Sequence, residues 1–221
     1  MVTPPHWLVL VAGALVGGYA VGCIPVAWLV VRRQHGVDLR HTGRGRSGTI
    51  DALAAAGLRA AAITVVFELI KGAVVGLGAR LYDPDPWFAA TAIAGCVVGD
   101  AFPVGIRRGR RGIAPLIAGV VAALPGVWWA GLIVALPAVV LLGLRGIAFE
   151  QLVVLCVPLG LLLGTRDVRT LLPAAVIVIA LVARNRVRMR ERARRRAELA
   201  TAAAMPVVID QPPGAGRLPH P

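Results

Sequence analysis

Four arginines crowd a stretch that also holds four glycines, Gly99 to Pro115, which reads GDAFPVGIRRGRRGIAP. The guanidinium forks of Arg107, Arg108, Arg110 and Arg111 suit bidentate binding of an oxyanion. Gly105, Gly109 and Gly112 let the backbone turn at positive φ and bring N–H groups close to a ligand. Recognition of phosphate or carboxylate is the chemistry such a segment can do. A second polar segment, Gln34 to Asp51, carries Arg40, Arg44 and Arg46 among Gly36, Gly43, Gly45 and Gly48. Arginine at a bilayer centre costs about 2.5 kcal/mol or more, so both segments belong at a membrane surface rather than in hydrocarbon. A short arginine loop between apolar runs also acts as a plain topology signal, and that reading stands beside the anion site.

The elements that must position these segments are apolar. The chain is 57% hydrophobic over 221 residues and still carries a net charge of +13. Its arginines cluster between apolar runs instead of spreading over faces, which points to an integral membrane protein and away from nucleic acid. Lys71 is the single lysine. Cys23, Cys96 and Cys156 all fall inside apolar runs without a CxxC or a histidine neighbour, so neither a disulfide framework nor a zinc site is expected, and no cofactor is called for.

Taken in order, Trp7 to Val31 is predicted to be the first span. No basic residue precedes it within the run and it is long enough to cross, which argues for an anchor rather than a cleaved leader. It ends at Arg32 and Arg33, so the positive-inside rule places that end in the cytoplasm and the N-terminus outside. Helical sequence then runs from about Ile50 to Leu81, with Asp51 and Arg59 at the interface and Glu68 and Lys71 deeper. These two are three residues apart, on one helical face where they can pair. Intramembrane charges point to function, and a structural ion pair locking two helices is the equal alternative. The link Tyr82 to Pro86 is acidic and proline-rich, and Trp87 begins the third span. Asp100, just before the arginine segment, is placed to bridge to an arginine or to contact substrate. Gly112 to Arg145 is read as two spans broken near Leu124 to Trp128, because only then does the tail Arg184 to Arg196, with eight arginines against Glu191, lie in the cytoplasm. Phe149 to Leu163 and Val168 to Ala183 complete an all-α integral membrane fold of about seven transmembrane helices. The expected organisation is a polytopic domain over 1–190, a basic cytoplasmic helix over 184–204 lying along anionic lipid, and a disordered tail over 205–221.

Familiar catalytic signatures are missing. Position five after His35 is Arg40 and after His41 is Arg46, so there is no H-x-x-x-x-D dyad, and no G-x-S-x-G elbow or Walker loop occurs. A lone loop histidine such as His41 is usually solvated.

The motifs that do occur are Gly22-Cys23-Ile24-Pro25, Asp38-Leu39-Arg40 with Gly43 and Gly45, Glu68-x-x-Lys71-Gly72, Phe102-Pro103-Val104 and Gly109-Arg110-Arg111-Gly112-Ile113-Ala114. In order and spacing, over about residues 17 to 190, the chain resembles the PlsY-type acyl-phosphate:glycerol-3-phosphate acyltransferase family. The resemblance implies a seven-span fold with its site facing the cytoplasm, in the cell membrane of a bacterium. It further implies acyl transfer from acyl phosphate to glycerol 3-phosphate, giving lysophosphatidic acid for phospholipid synthesis. Carried over residue by residue, Arg40 and Arg111 hold phosphate, and Gly43, Gly45, Gly109 and Gly112 preserve the loop backbones. Arg44, Arg46, Lys71 and Asn185 are further candidates. No protein nucleophile is required, since phosphate itself can help remove the hydroxyl proton. Against the family pattern, Cys23, Arg44, Arg46, Ile50, Asp51 and Pro115 replace small neutral residues, Arg111 replaces lysine, and Asn185 and Arg188 fall where histidine and asparagine are usual. A catalytically inactive relative that binds anionic lipid or a membrane partner is the alternative. An anion transporter is a weaker third reading, because no pair of glycine-broken spans repeats in the two halves.

Overall fold

The computed structural model describes residues 6–39, 48–104, 113–124, 126–127, 129 and 149–204. Every regular element among these is helical: α1 (His6–Gly22), α2 (Val26–His35), α3 (Thr49–Tyr82), α4 (Pro86–Ala101), α5 (Ile113–Ala123), α6 (Phe149–Thr165) and α7 (Leu171–Ala204), with a 3-10 turn at Val168–Thr170. The expected fifth span and the tail 205–221 lie outside the described residues.

Among the described residues, three stretches are long and apolar enough to cross a membrane, Trp7–His35, Thr49–Tyr82 and Val168–Glu198, and α4, α5 and the end of α6 are shorter apolar helices. Leu8, Val9, Val16, Val66, Phe67, Val74 and Ile179 are all exposed. A bilayer solvates such surface and water does not.

The predicted first span is two helices rather than one. Pro25 has no N–H to donate and pushes Ile24 out of the α region, so the chain breaks at Cys23–Pro25 before α2 resumes. Helix α2 then closes on Gly36, whose φ of 67° and N–H donated to the Arg32 carbonyl form a left-handed cap. The third helix matches its predicted extent, but it is interrupted at Gly57, where φ is 77° and ψ −174°. Residues 58–82 remain as its long straight run, about 37 Å at 1.5 Å per residue, enough to span hydrocarbon about 30 Å thick.

Helix α4 is the centre of the bundle. Its residues Phe88 to Val97 are buried without a break, and the core they anchor draws in Val75, Ala79, Ala123, Leu124, Leu161, Ala174, Ile177, Ala180 and Leu181. The helices meet through glycine. A Cβ on Gly18 or Gly22 would strike the carbonyls of Ala92 and Cys96, and one on Gly95 or Gly99 would strike those of Leu15 and Tyr19. Helices α1 and α4 therefore cross backbone to backbone, as small-x-x-x-small helices do in membranes. Gly76 and Gly119 do the same for α3 and α5.

At the N-terminal end of α4, the connections are clamped by Arg169. Its guanidinium lies 3.1 Å from Asp85 and 3.1 Å from Asp167, and 6.0 Å from the Trp87 ring centroid. The Arg169 backbone N–H and guanidinium hold the Asp167 carboxyl below the usual carboxylate range. This contribution is therefore complete above the ordinary aspartate pKa and is lost as pH falls through the lower folded value.

The chain divides into two compact units, residues 1–185 and 186–221. In the second, Arg186, Arg190, Arg192, Arg194, Arg195 and Arg196 are all exposed along the helix.

Gly95→Leu should push α1 from α4 and destabilise the protein by roughly 1–3 kcal/mol, the range for overpacking a tight contact. Gly13→Leu, at a glycine with nothing within 4 Å of an added Cβ, should leave the unfolding temperature in detergent unchanged.

Candidate functional site

Lys71 lies inside the bundle, and its ammonium makes two hydrogen bonds and a further ion pair. It ion-pairs with Glu68 Oε2 at 3.0 Å, donates to Asp100 Oδ1 at 2.9 Å, and donates to the Gly22 carbonyl at 3.3 Å. Glu68, Lys71 and Asp100 are 2%, 6% and 4% exposed. Charges this far from water persist only when they are paired and hydrogen-bonded. The expected pairing of Glu68 with Lys71 is present, and the ion pair locks two helices: Glu68 shares α3 with Lys71, whereas Asp100 belongs to α4. Asp100, placed by its sequence position beside an arginine or a substrate, accepts from Lys71. The acid at the end of an otherwise apolar α4 run was the available signal for this third member.

Three of the motif segments come together here, with Pro115 beside them. The carbonyl of Gly22, which opens the Gly22–Pro25 break, is held by Lys71. A Cβ on Gly99 would meet the Cys23 nitrogen at 3.0 Å, and the Tyr19 hydroxyl donates to the Phe102 carbonyl at 3.0 Å. One residue beyond Lys71, a Cβ on Gly72 would strike the Pro115 carbonyl and approach the Pro115 Cα to 2.5 Å. The break in the first span and the end of α4 thus meet at the Lys71 ammonium, and the start of α5 packs on the next residue of α3, Gly72. Their close approach is legible in the sequence as Gly18-x-x-x-Gly22, Gly72-x-x-x-Gly76 and Gly95-x-x-x-Gly99.

The segment bearing Arg40 is anchored separately. The Trp28 indole N–H donates to Asp38 Oδ1 at 2.8 Å, and the Arg32 guanidinium lies 4.9 Å from the Trp28 ring centroid. Leu39 is buried in a small core with Ala27, Val31, Ala52 and Ala60. Asp38 and Leu39 therefore fix the backbone that leads directly into position 40. Arg40, Gly43, Arg44, Gly45, Arg46, Gly109, Arg111 and Gly112 themselves lie outside the described residues. Asn185 is half-buried near the end of the first unit, next to a buried Arg184.

A family model described as Glycerol-3-phosphate acyltransferase matches residues 12–197. The chain belongs to the glycerol-3-phosphate acyltransferase family. Among curated relatives, a glycerol-3-phosphate acyltransferase of Rubrobacter xylanophilus is 37% identical over 120 residues, 51% of this chain and 60% of that one. One of Brucella anthropi is 34% identical over 135 residues, 61% of this chain and 64% of that one. The chain thus spans somewhat under two thirds of the length of these family members. The fold is shared with crystal structures of PlsY (YgiH), an integral membrane glycerol 3-phosphate acyltransferase. Its glycerol 3-phosphate form gives a TM-score of 0.60 at 22% identity, over 84% of this chain and 91% of that one. Its lysophosphatidic acid form gives 0.61 at 20% identity, over 81% and 90%.

Lys71→Met should remove the ion pair to Glu68 and the bond to Asp100 inside the bundle, a loss of roughly 3–5 kcal/mol for a broken buried pair. Asp100→Asn, which keeps a neutral acceptor and leaves the Glu68–Lys71 pair intact, should cost much less. Thermal unfolding of both variants in the same detergent checks the order.

Proposed function

We propose that this protein transfers an acyl group from acyl phosphate to the 1-hydroxyl of glycerol 3-phosphate, releasing lysophosphatidic acid and inorganic phosphate. The bond between the acyl carbon and the phosphate oxygen breaks as the ester bond to glycerol forms. The hydroxyl proton passes to the departing phosphate, so the protein supplies position and charge and no nucleophile. The observation that carries this reading is the family match from residue 12 to residue 197, beside a buried Lys71 that holds Asp100 and the Gly22 carbonyl. Relatives bear the acyltransferase name, and the fold neighbour occurs in a glycerol 3-phosphate form and a lysophosphatidic acid form, which are substrate and product of this reaction. They favour the enzyme over an inactive relative.

In this reading Arg40 and Arg111 grip phosphate as planar forks, and Gly43, Gly45, Gly109 and Gly112 let the backbone N–H groups approach it. Arg44, Arg46 and Asn185 add donors and charge around the same anion, where the family uses smaller neutral groups. The protein crosses the cell membrane seven times, with its N-terminus outside and both arginine segments, the site and the C-terminus in the cytoplasm, where the polar substrate is met. The apolar spans give the acyl chain its wall.

Reconstituted protein supplied with labelled glycerol 3-phosphate should form lysophosphatidic acid with acyl phosphate, and not with acyl-CoA or acyl carrier protein. Arg40→Ala and Arg111→Ala should each lower turnover by 100-fold or more while the protein stays folded. Unchanged turnover in both would remove this site.

The exposed Arg186, Arg190, Arg192, Arg194, Arg195 and Arg196 support anionic lipid as a partner of the second unit. Anionic lipid retained by the purified protein should fall steeply between low and high salt, and fall likewise when Arg190, Arg192, Arg194, Arg195 and Arg196 are all glutamine.

A further inference from the structure

Helix α3 kinks just outside the stretch that crosses the membrane. Arg59 and Arg80 bracket residues 60–79, about 20 residues and about 30 Å of helix, the thickness of the hydrocarbon layer. The two charges between them, Glu68 and Lys71, pair inside the bundle. Gly57 lies beyond the Arg59 end and leaves helical geometry, with φ 77° and ψ −174°. A Cβ there would meet nothing within 4 Å, so this glycine serves the backbone conformation and not packing. Past the kink come the first two turns of α3, where Ile50 and Leu53 are 69% and 46% exposed; Leu58, on the spanning side of the kink, is 77% exposed. We propose that residues 49–56 form an interfacial helix, laid by the Gly57 kink along the headgroup region of the adjacent leaflet, with Ile50, Leu53 and Leu58 inserted at the acyl boundary. This placement is independent of the acyl-transfer reading above.

A straight continuation would be unfavourable. It would carry these residues up to about 12 Å further from the hydrocarbon and leave large aliphatic side chains in water. Turned at Gly57, the same side chains extend the lipid-facing surface that Val65, Val66 and Phe67 present on the spanning run. The opposite side of the segment is already committed to protein. Ala52 is buried in the small core with Ala27, Val31, Leu39 and Ala60, and Ala56, one turn on, packs against that core. Ile50 and Leu53 lie three apart on a different side, so the segment has one face for protein and one for lipid. Charge agrees with this depth, because α2, which supplies Ala27 and Val31, ends in the exposed Arg32 and Arg33, and guanidinium groups suit headgroup phosphates. A helix lying in this plane buries its apolar face about 5–10 Å into the headgroup and acyl boundary.

Depth can be read on the full-length wild-type protein, reconstituted in vesicles of phosphatidylcholine and phosphatidylglycerol. Three photoactivated carbene probes are used: a lipid with its diazirine near the acyl carbonyl, a lipid with it at the chain end, and a water-soluble diazirine. Trypsin cleavage after Arg46 and Arg59 releases residues 47–59, and cleavage after Lys71 and Arg80 releases residues 72–80, which include the exposed Val74 near the middle of the span. The ratio of shallow to chain-end labelling at Ile50 and Leu53 should exceed that at Val74 at least threefold. In Ile50→Glu/Leu53→Glu, labelling of 47–59 by the shallow lipid should fall at least threefold and labelling from water should rise at least threefold, with Val74 unchanged. Wild-type labelling of Ile50 and Leu53 from water alone, from no probe, or with the depth ratio of Val74 overturns the inference. So does a double variant labelled as wild type. Should Val74 labelling change in the double variant, showing that the bundle is lost, the wild-type depth ratio alone decides.

Discussion

A lysine ammonium in a low-dielectric interior must be surrounded by acceptors or give up its proton, and the position of Lys71 makes that requirement organise the bundle. Its acceptors come from three different elements: Glu68 from its own helix, Asp100 from α4, and the Gly22 carbonyl from the end of α1. The carbonyl is available because Pro25 and the residues before it interrupt the helix there, leaving terminal carbonyls of α1 without intrahelical partners. A break that looks like a defect in a spanning helix is therefore what completes the coordination of the only lysine in the chain.

The requirement can be met only if the helices come close enough. In a membrane, lipid tails are as apolar as leucine, so association depends on backbone approach and polar contacts rather than on burial of apolar area. Glycines 18, 22, 95 and 99 permit that approach between α1 and α4, and Gly72, Gly76 and Gly119 permit it between α3 and α5. Close approach and ion pairing support each other, since a wider crossing would lengthen the bonds to Lys71.

Around this scaffold, the polar segments have a different character. Cationic and apolar groups stand at several positions where the family pattern has serine, threonine or asparagine, and Arg111 stands for a lysine. A planar fork reaches two oxygens of a phosphate where an ammonium offers a point charge. The anchoring of Asp38 by Trp28 and the burial of Leu39 keep the approach to Arg40 independent of those changes.

Much of this was legible before any coordinates. Hydropathy and arginine placement marked the spanning helices, because a bilayer tolerates neither free charge nor unpaired backbone. The spacing of Glu68 and Lys71 predicted their pairing, because residues three apart share a helical face. The motif order marked the family. Other features lay beyond local reading. The first span was read as one stretch, and the structure divides it between Gly22 and Val26. Gly57, exposed and in an otherwise helical run, takes up positive φ without any neighbour in sequence announcing it. That Asp100 would face Lys71, 29 residues away, and that Gly72 would meet Pro115, depend on which helix faces oppose each other. Sequence by itself determined which residues must avoid lipid and which must turn toward other helices. Only the tertiary structure decided which partner each one meets, because that choice is made by the crossing of whole helices, not by the spacing of residues along one of them.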